Sequence, residues 1–398
     1  MSDWPDDLDA LIKLAVGDAR DPYPDYAWAR REDPVMQQDP AGAWFTIFRY
    51  ADVERMLRDP QTFSSRGYED SVGLAFGPSI LQMDGAEHQQ HRALIGGTFR
   101  RRAIERVLPT LIEPTIHDLI DRIAGHGRAE LVSEVTIRYP IQIIAELLGI
   151  PREEYPRFVR LSIAMLGLSE TSIGLQAAEE MRSYLAPIVE QRRRDPREDL
   201  IGELAGAEID GRPLPDEEIF GFLRLLLPAG AETTYRLLGS LLFALLHDPR
   251  QLDAVRDQRD LLPAAIEEAL RWETPVQFIE RMTTRDVEVG AAVIPAGAHI
   301  GLVLGSANRD EAVFEDPDRY DLFAVRAPHL AFAEGPHRCL GEHLARAEVT
   351  TAMNALLDRL EDLRLDADGG ETYIQGDAFR SPNRLPVRFR PARVVASA

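Results

Sequence analysis

The feature that most constrains the fold is the decapeptide from Phe332 to Gly341, which contains the only cysteine among 398 residues. One cysteine cannot form an internal disulfide bond, so Cys339 is either an inert buried side chain or a reactive one. Gly335 and Pro336 predict a tight turn, because glycine accepts a positive φ and proline fixes its own φ. Apolar residues then recur at helical spacing over 344–360, which predicts a helix directly after the turn.

The position of Cys339 at the start of this helix favours the reactive interpretation. Unpaired N–H groups and the helix dipole stabilise an anion there, so we expect the pKa of the thiol to fall. A thiolate is a good ligand for iron, and Gly341, which has no Cβ, leaves room for a flat cofactor close to the backbone.

The decapeptide resembles the haem-binding signature of the cytochrome P-450 family, Phe-x-x-Gly-x-His/Arg-x-Cys-x-Gly. The match continues through Leu344, Ala345, Arg346 and Glu348. The resemblance extends over nearly the whole chain and points to the soluble prokaryotic type. It implies haem b with the Cys339 thiolate as axial ligand, and it places Phe332 and Gly341 beside the cofactor.

The same resemblance implies a mainly α fold with small peripheral β-sheets, formed by residues 1–398 as a single domain. Residues 1–20 are expected to be loosely ordered. Within this frame we predict a hairpin from 35–36 and 44–48, helices over 51–58 and 263–272, and short strands over 287–304 and 363–389.

Composition excludes some classes of protein. A formal net charge of −21 argues against general nucleic-acid binding. Met1 to Asp9 is acidic and lacks the apolar core of a secretory signal, so a reducing cytoplasm is expected. The most apolar run, from Ile219 to Leu246, contains three charged residues, which indicates a buried helix and no membrane anchor.

A second cluster predicts a site for carboxylates. His88 and Arg92 are four residues apart and therefore share a helix face. By themselves they suit either a solvated surface pair or a cationic site for an anion. The resemblance favours the second, with His88, Arg92, Arg281 and His337 holding the haem propionates.

The third cluster lies in the middle of the long apolar helix, from Ala229 to Thr234. An acid and hydroxyls there are costly unless they have partners, and Thr233 can donate to the carbonyl of Ala229. They form either a satisfied polar kink or a catalytic group. The resemblance implies that Glu232 and Thr233 relay protons during dioxygen activation, with Ala229 and Gly230 against the cofactor.

Three features depart from the family pattern. Ala333, in the cysteine loop, occupies a position that is often glycine in the family. Pro228, in the same helix as Glu232 and Thr233, removes an N–H group and is expected to widen or shift the kink. Glu268 and Arg271 match a structural ion pair, but the usual position of its third partner holds Ala324, so Arg326 or Arg319 is expected to substitute.

Substrate contacts follow mostly from the resemblance. The loop 64–83 is rich in glycine and apolar residues, so it is either a binding loop or a locally packed Ω-loop. The segment from Phe158 to Leu175 is expected to close over the substrate. The predicted contacts are mostly apolar, which favours a lipophilic molecule: Phe76, Ile80, Leu226, Gln277, Phe278, Ile279, Ala378 and Phe379.

The last cluster is basic, in an otherwise acidic chain: Arg100, Arg101, Arg102 and Arg106. Such a run is either a solvated face or a docking patch for an acidic electron carrier. No flavin or iron–sulfur domain is recognisable, so the resemblance implies electrons from a separate ferredoxin and its reductase.

The predicted activity is that of a haem-thiolate monooxygenase, which inserts one oxygen atom from O2 into an organic substrate. Two alternatives use the same haem. A peroxide-driven peroxygenase does not need an acid–alcohol pair, so Glu232 and Thr233 argue against it. A non-enzymatic haem carrier or sensor would form no product.

Overall fold

The structure, a computed structural model, describes residues 19–167 and 172–391. The first half of this chain contains these elements: α1 Tyr23–Glu32, β1 Val35–Gln37, β2 Trp44–Ile47, α2 Tyr50–Arg58, β3 Phe63–Ser64, α3 Gly73–Phe76, α4 Gly85–Gly96, α5 Arg101–Val107, α6 Glu113–Ile123, β4 Arg128–Glu130, α7 Arg138–Leu148, α8 Tyr155–Gly167, α9 Ser172–Arg194 and α10 Leu200–Ala205.

The second half contains β5 Glu208–Ile209, β6 Arg212–Pro213, α11 Asp216–His247, α12 Pro249–Asp257, α13 Leu262–Trp272, β7 Phe278–Thr283, β8 Val287–Val289, β9 Ala292–Ile294, β10 His299–Val303, α14 Leu304–Ala307, α15 Glu342–Arg359, β11 Arg364–Leu365, β12 Ile374–Gln375, β13 Ser381–Pro382 and β14 Pro386–Arg388. The predicted hairpin, helices and strands are confirmed within one to three residues at their ends.

Helix α11 is the centre of the fold. Its 32 residues are apolar on nearly every side, which is typical of a helix surrounded by protein. Asp216, Glu217 and Glu218 occupy its first turn, where carboxylates offset the helix dipole. Helix α11 packs against α7, α13 and α15, and it stays helical through Pro228. None of the helices in residues 19–167 and 172–391 is long and apolar enough to cross a membrane.

One hydrophobic core joins the helices, and it includes residues from Ala75 to Phe389. A second cluster packs under a five-stranded sheet in the order β1-β2-β10-β7-β3. Strand β10 is the middle strand, parallel to β2 and antiparallel to β7, with Ile300 opposite Arg281. This register places one end of β7 over the space between α11 and the cysteine loop.

The loop predicted over 64–83 is wrong in its details. Residues 65–70 form a 3₁₀ helix and α3 follows at Gly73–Phe76. Phe76 and Ile80 are buried, whereas Leu74 is exposed. Most of its apolar residues therefore pack against the core, and Tyr68, Ile80 and Leu81 also line the cavity between α11 and the cysteine loop, so the structure is compatible with both interpretations.

The loose order predicted for residues 1–20 falls mostly on residues outside the described part of the chain. Ala19 and Arg20 are described, and both are fixed by hydrogen bonds. The buried guanidinium of Arg380 donates to the carbonyl oxygen of each, at 3.0 and 2.8 Å. The segment predicted to close over substrate, 158–175, includes residues 168–171, which also lie outside the described part.

Candidate active site

A mostly apolar cavity lies between helix α11 and the loop that precedes α15. Its volume is about 280 Å³, near the lower end of the roughly 300–1,000 Å³ that pockets for a drug-sized ligand hold. The cavity is therefore large enough to hold an organic ligand. Cys339 and Thr233 both line it, so a sulfur atom and a hydroxyl group from different elements meet at one cavity.

The cysteine loop is held by backbone geometry. The N–H of Cys339 donates to the carbonyl of Phe332 at 2.9 Å. Gly335 has a φ of +74°, and a Cβ there would lie 2.5 Å from the carbonyl oxygen of Leu57. Ala333 has a φ of 56°, in the left-handed region that glycine prefers. Ala333 is therefore a strained residue three positions before Pro336, which lies in the turn of this loop.

The prediction that the pKa of the Cys339 thiol falls is wrong for the protein without a metal bound to the sulfur. The side chain of Cys339 is exposed only toward the cavity, and protein encloses it on the other sides. Burial raises the pKa of the Cys339 thiol and outweighs the lowering by the N–H of Gly341 and by Arg92. A metal ion bound to the sulfur would reverse this balance, because coordination deprotonates a thiol outright.

Charged residues brace the outer side of the cysteine loop. Arg338 pairs with Glu334 and Glu342, at 2.8 and 2.9 Å. Arg346 bonds Glu267 at 2.6 Å, and its guanidinium lies 4.5 Å from the ring centroid of Phe332. We did not predict the pair of Arg346 with Glu267, because the two residues are 79 positions apart and only the tertiary fold joins them.

The four residues predicted to bind propionates converge on one side of the cavity. His88, Arg92, Arg281 and His337 all line it. Arg281 is buried and forms no ion pair within residues 19–167 and 172–391. Its guanidinium donates to the carbonyl of Glu280 at 2.6 Å. A buried cation without a carboxylate partner fits an anionic group that enters with a ligand.

His88 differs from the prediction in its charge. Its ring lies 4.1 Å from the ring of His337, centroid to centroid, and its Nε2 is buried without a hydrogen-bond partner. Burial, with the nearby charges of His337 and Arg92, lowers the pKa of His88 to about 4. His88 is therefore neutral at pH 7, and the expected cationic pair is one cation beside a neutral hydrogen-bonding ring.

The predicted structural ion pair is present on α13. Arg271 bonds both carboxylate oxygens of Glu268, at 2.7 and 2.8 Å, and both residues are buried. Arg326 supplies the third member, with its Nη2 3.3 Å from Glu268. Arg319 contributes only its carbonyl oxygen, which accepts from Arg271 at 2.9 Å.

Helix α11 presents Ala229, Gly230 and Thr233 to the cavity. The hydroxyl of Thr233 donates to the carbonyl of Ala229 at 2.8 Å, as predicted. Gly230 has a second function that the sequence did not reveal. A Cβ on it would lie 3.1 Å from Cδ1 of Ile144, so glycine also allows α7 to pack closely against α11.

Glu232 does not face the cavity with Thr233. Its buried carboxylate accepts two hydrogen bonds from Arg236, at 2.6 and 3.1 Å. The same guanidinium donates to the carbonyl of Phe379 at 3.0 Å. The sequence contained the signal for this pair, since Glu232 and Arg236 are four residues apart on one helix.

The predicted substrate contacts divide into two groups. Ile80, Leu226 and Ile279 line the cavity, whereas Phe76, Gln277, Phe278, Ala378 and Phe379 do not. Gln277 is fully buried, and its Nε2 donates to the carbonyl of Thr274 at 2.7 Å. The cavity role assigned to Gln277 is therefore wrong, because this side chain packs against Gly305 of α14 and does not line the cavity.

Other cavity residues were not predicted from the sequence. Tyr68 lines the cavity, and its hydroxyl accepts the N–H of Glu280 at 2.9 Å. Burial raises the pKa of Tyr68. Its position in the 64–83 segment was the only available signal, since a lone tyrosine in a glycine-rich stretch indicates no particular site.

The basic cluster lies on the surface outside the cysteine loop. Arg100, Arg101, Arg102 and Arg106 are all exposed. Arg101 shares a groove with Arg338, His343 and Arg346, which belong to the cysteine loop and α15. The groove also contains Glu105, Glu113, Glu342 and Asp358, so the basic patch near the cysteine loop consists of the exposed arginines of the cluster itself.

Known proteins resemble this chain over most of its length. The family model for cytochrome P450 matches residues 141–370. Cytochrome P450 107B1 of Saccharopolyspora erythraea is 36% identical over 94% of this chain and 97% of its own length. The monooxygenase PikC of Streptomyces venezuelae is 35% identical, with coverage of 94% and 92%.

Solved structures show the same similarity. Cytochrome P450 CYP109Q5 from Chondromyces apiculatus superimposes with a TM-score of 0.83 at 36% identity, covering 98% of each chain. A structure of P450BioI in complex with an acyl carrier protein carrying hexadec-9Z-enoic acid gives a TM-score of 0.84 at 29% identity, covering 93% of this chain and 99% of that one.

Proposed function

Because the chain belongs to the cytochrome P450 family and is a monooxygenase of that family, we propose that it oxidises a neutral lipophilic substrate with electrons from a separate ferredoxin and reductase. Proteins of this family bind haem through a cysteine thiolate. The observation that carries the proposal is the shared cavity of Cys339 and Thr233, with carboxylate-binding groups on one side.

The residues of the cavity fit a haem. Cys339 would supply the sulfur ligand, and Gly341 leaves the space beside it open, since a Cβ there would meet no atom nearer than the sulfur at 4.0 Å. Phe332, Ala229 and Gly230 line the same cavity and would border the ring. Haem bound through a thiolate supplies the activation of dioxygen and the insertion of one oxygen atom into the substrate.

The propionates are assigned to four residues with free or weakly used hydrogen-bonding groups. Arg281 offers a buried guanidinium and His88 offers an Nε2 that has no partner. His337 is held by Asp84 at 3.2 Å, and Arg92 by the carbonyl of Arg338 at 2.6 Å. Bonds from the protein orient both side chains before a carboxylate arrives.

Thr233 and Glu232 are assigned to proton transfer. The hydroxyl of Thr233 lines the cavity and can pass a proton while its oxygen stays fixed near Ala229. Glu232, the adjacent residue, is the nearest acid on the same helix. Its carboxylate can take a proton from water and relay it to that hydroxyl once it turns from Arg236 toward the cavity.

The substrate class follows from the part of the cavity away from the histidines and arginines. Leu225, Leu226, Ile279 and Val276 contribute only apolar surface there. A neutral lipophilic molecule can be desolvated in this space at no cost in free energy, whereas a charged group would find no partner to replace its water.

The proposal extends to partners and organisation. The exposed cluster Arg100, Arg101, Arg102 and Arg106 is assigned as the docking patch for an acidic ferredoxin. Residues 1–398 are assigned to one domain, and residues 268, 271 and 326 to the ion-pair network that supports the cofactor pocket. The cytoplasmic location stays a prediction.

The function is tested with purified holoprotein and a panel of three neutral compounds: testosterone, ethylbenzene and 7-ethoxycoumarin. Each is titrated for a shift of the haem spin state. The compound with the largest shift is then incubated with a ferredoxin, its reductase, NADPH and ¹⁸O₂. We expect one ¹⁸O atom in the hydroxylated product or, for 7-ethoxycoumarin, in the aldehyde released together with 7-hydroxycoumarin.

Two results would contradict the proposal. Turnover with hydrogen peroxide but none with the electron-transfer chain would identify a peroxygenase. If no compound of a wider lipophilic panel shifts the spin state or forms a product, a haem carrier would be favoured.

A further inference from the structure

We propose that Arg236 is a positioning residue for proton delivery, which holds the carboxylate of Glu232 outside the cavity until a proton is needed. The proposal rests on the function assigned above to Glu232 and Thr233. It adds Arg236, which contacts neither the cavity nor the residues that line the cavity beside Cys339.

The ion pair is strong and almost completely shielded from water. Nη2 of Arg236 lies 2.6 Å from Oε2 of Glu232, and the two side chains are 2% and 5% exposed. Buried charges are costly unless they are paired, so the guanidinium fixes the position of the carboxylate.

The pair lies on a different side of α11 from the cavity. Consecutive residues on an α-helix point about 100° apart. Thr233 therefore lines the cavity, whereas Glu232 borders a small separate void beside Ile144 and Phe158. The carboxylate must leave Arg236 before it can reach the Thr233 hydroxyl.

The guanidinium of Arg236 cannot follow the acid, because it is anchored on its other edge. Nη1 donates to the carbonyl of Phe379 at 3.0 Å and to the hydroxyl of Ser381 at 3.3 Å. The guanidinium also lies 4.8 Å from the ring of Tyr235 and 5.4 Å from the ring of Phe379. These contacts hold the positive charge in place whether or not the carboxylate is bound.

The anchor leads back to the cavity wall. Phe379 forms an antiparallel bridge with Val276, and the carbonyl of Ala378 accepts the N–H of Gln277 at 2.8 Å. Val276 lines the cavity. The segment that anchors Arg236 is therefore bonded to the cavity wall, which fixes the guanidinium relative to the cavity.

The experiment is a double-mutant cycle of Arg236→Gln, Glu232→Gln and both together in the holoprotein. With the panel compound that gives the largest spin-state shift, product per NADPH consumed and peroxide release are measured. We expect each single variant and the double variant to lose coupling by the same factor, because all three interrupt one proton path. Losses that multiply in the double variant, or normal coupling in R236Q, would overturn the proposal.

Two measurements other than turnover separate positioning from a purely structural role. The dissociation constant from the spin-state titration should not change in R236Q; a several-fold weakening with normal coupling would show that Arg236 only anchors the C-terminal segment. In urea, R236Q should unfold at a lower midpoint than the double variant, since R236Q alone leaves an unpaired buried carboxylate. Equal midpoints would contradict the pairing.

The controls keep the test decisive. R236K retains the charge and should recover part of the coupling. If R236Q does not fold, the coupling of R236K is compared with that of S381A instead. R194Q removes the exposed partner of Glu190, an ion pair with the same spacing on α9, and should leave every readout unchanged. Failure of the wild-type protein to form product would instead count against the proposed function.

Discussion

Ala333 shows how a single residue of the cysteine loop carries strain. Its φ of 56° lies in the left-handed region, which costs an L-residue about 1–2 kcal/mol. The sequence resemblance indicated only that glycine is common at this position. The backbone gives the physical reason, because glycine adopts this conformation without the clash of a Cβ.

We therefore expect Ala333→Gly to increase the free energy of unfolding by about 1 kcal/mol, as relief of the strain exceeds the added flexibility of the unfolded chain. Urea unfolding of the holoprotein measures this change. Ala296→Gly is the matched control, since Ala296 lies in an exposed turn without a positive φ, and it should be neutral or destabilising. A destabilised A333G protein would show that Ala333 is not strained.

At the scale of single residues, the sequence predicted the cavity positions of those side chains whose roles depend on local spacing. Cys339, His88 and Thr233 fall where they were expected, because each belongs to a short motif. Gln277 and Phe76 did not line the cavity, since their orientation depends on distant partners such as Gly305 and the helical core. The fall expected in the pKa of Cys339 failed because burial outweighed the helix terminus.

At the scale of elements, α11 connects the fold with the chemistry. Its apolar surface explains its central position, and one turn of it provides both the cavity wall and the Thr233 hydroxyl. The length of the helix was predictable from its pattern. The contact of Gly230 with Ile144 was not predicted, because it depends on how α7 packs against the helix, whereas the pair of Glu232 with Arg236 was missed although its spacing of four residues was visible in the sequence.

Thr233→Ala tests this element directly. The alanine variant should consume NADPH at a similar rate but form several-fold less product and more hydrogen peroxide, because the cavity loses its hydroxyl for proton transfer. Product, NADPH and peroxide are quantified in the same reaction. Thr233→Ser keeps the hydroxyl and should stay coupled. Full coupling in T233A would place the proton path elsewhere.

At the scale of the whole molecule, charge is distributed unevenly. The chain has a formal net charge of −21, yet four exposed arginines cluster on or beside α5 near the cysteine loop. A positive patch on an acidic protein steers an acidic partner toward one orientation. The overall architecture followed from the resemblance, whereas the closeness of α5 to the cysteine loop required the tertiary structure.

Charge reversal at Arg101 tests this surface. Arg101→Glu should raise the apparent Michaelis constant for the ferredoxin, and the difference from wild type should shrink as salt is added, since exposed charges are screened. Stability should change little, because its pair with Glu105 is 3.6 Å apart and exposed. Arg194→Glu makes the same change of charge on α9 and should have no effect. An unchanged Michaelis constant in R101E would leave the cluster as a solvated face.

The central claim is that the sulfur of Cys339 binds the haem iron, and one spectrum tests it most directly. The reduced carbon monoxide complex of the wild-type holoprotein should show the red-shifted Soret band that a thiolate ligand produces. Cys339→Ala should lose that band, because the sequence contains no second cysteine. A red-shifted band that persists in C339A would contradict the account.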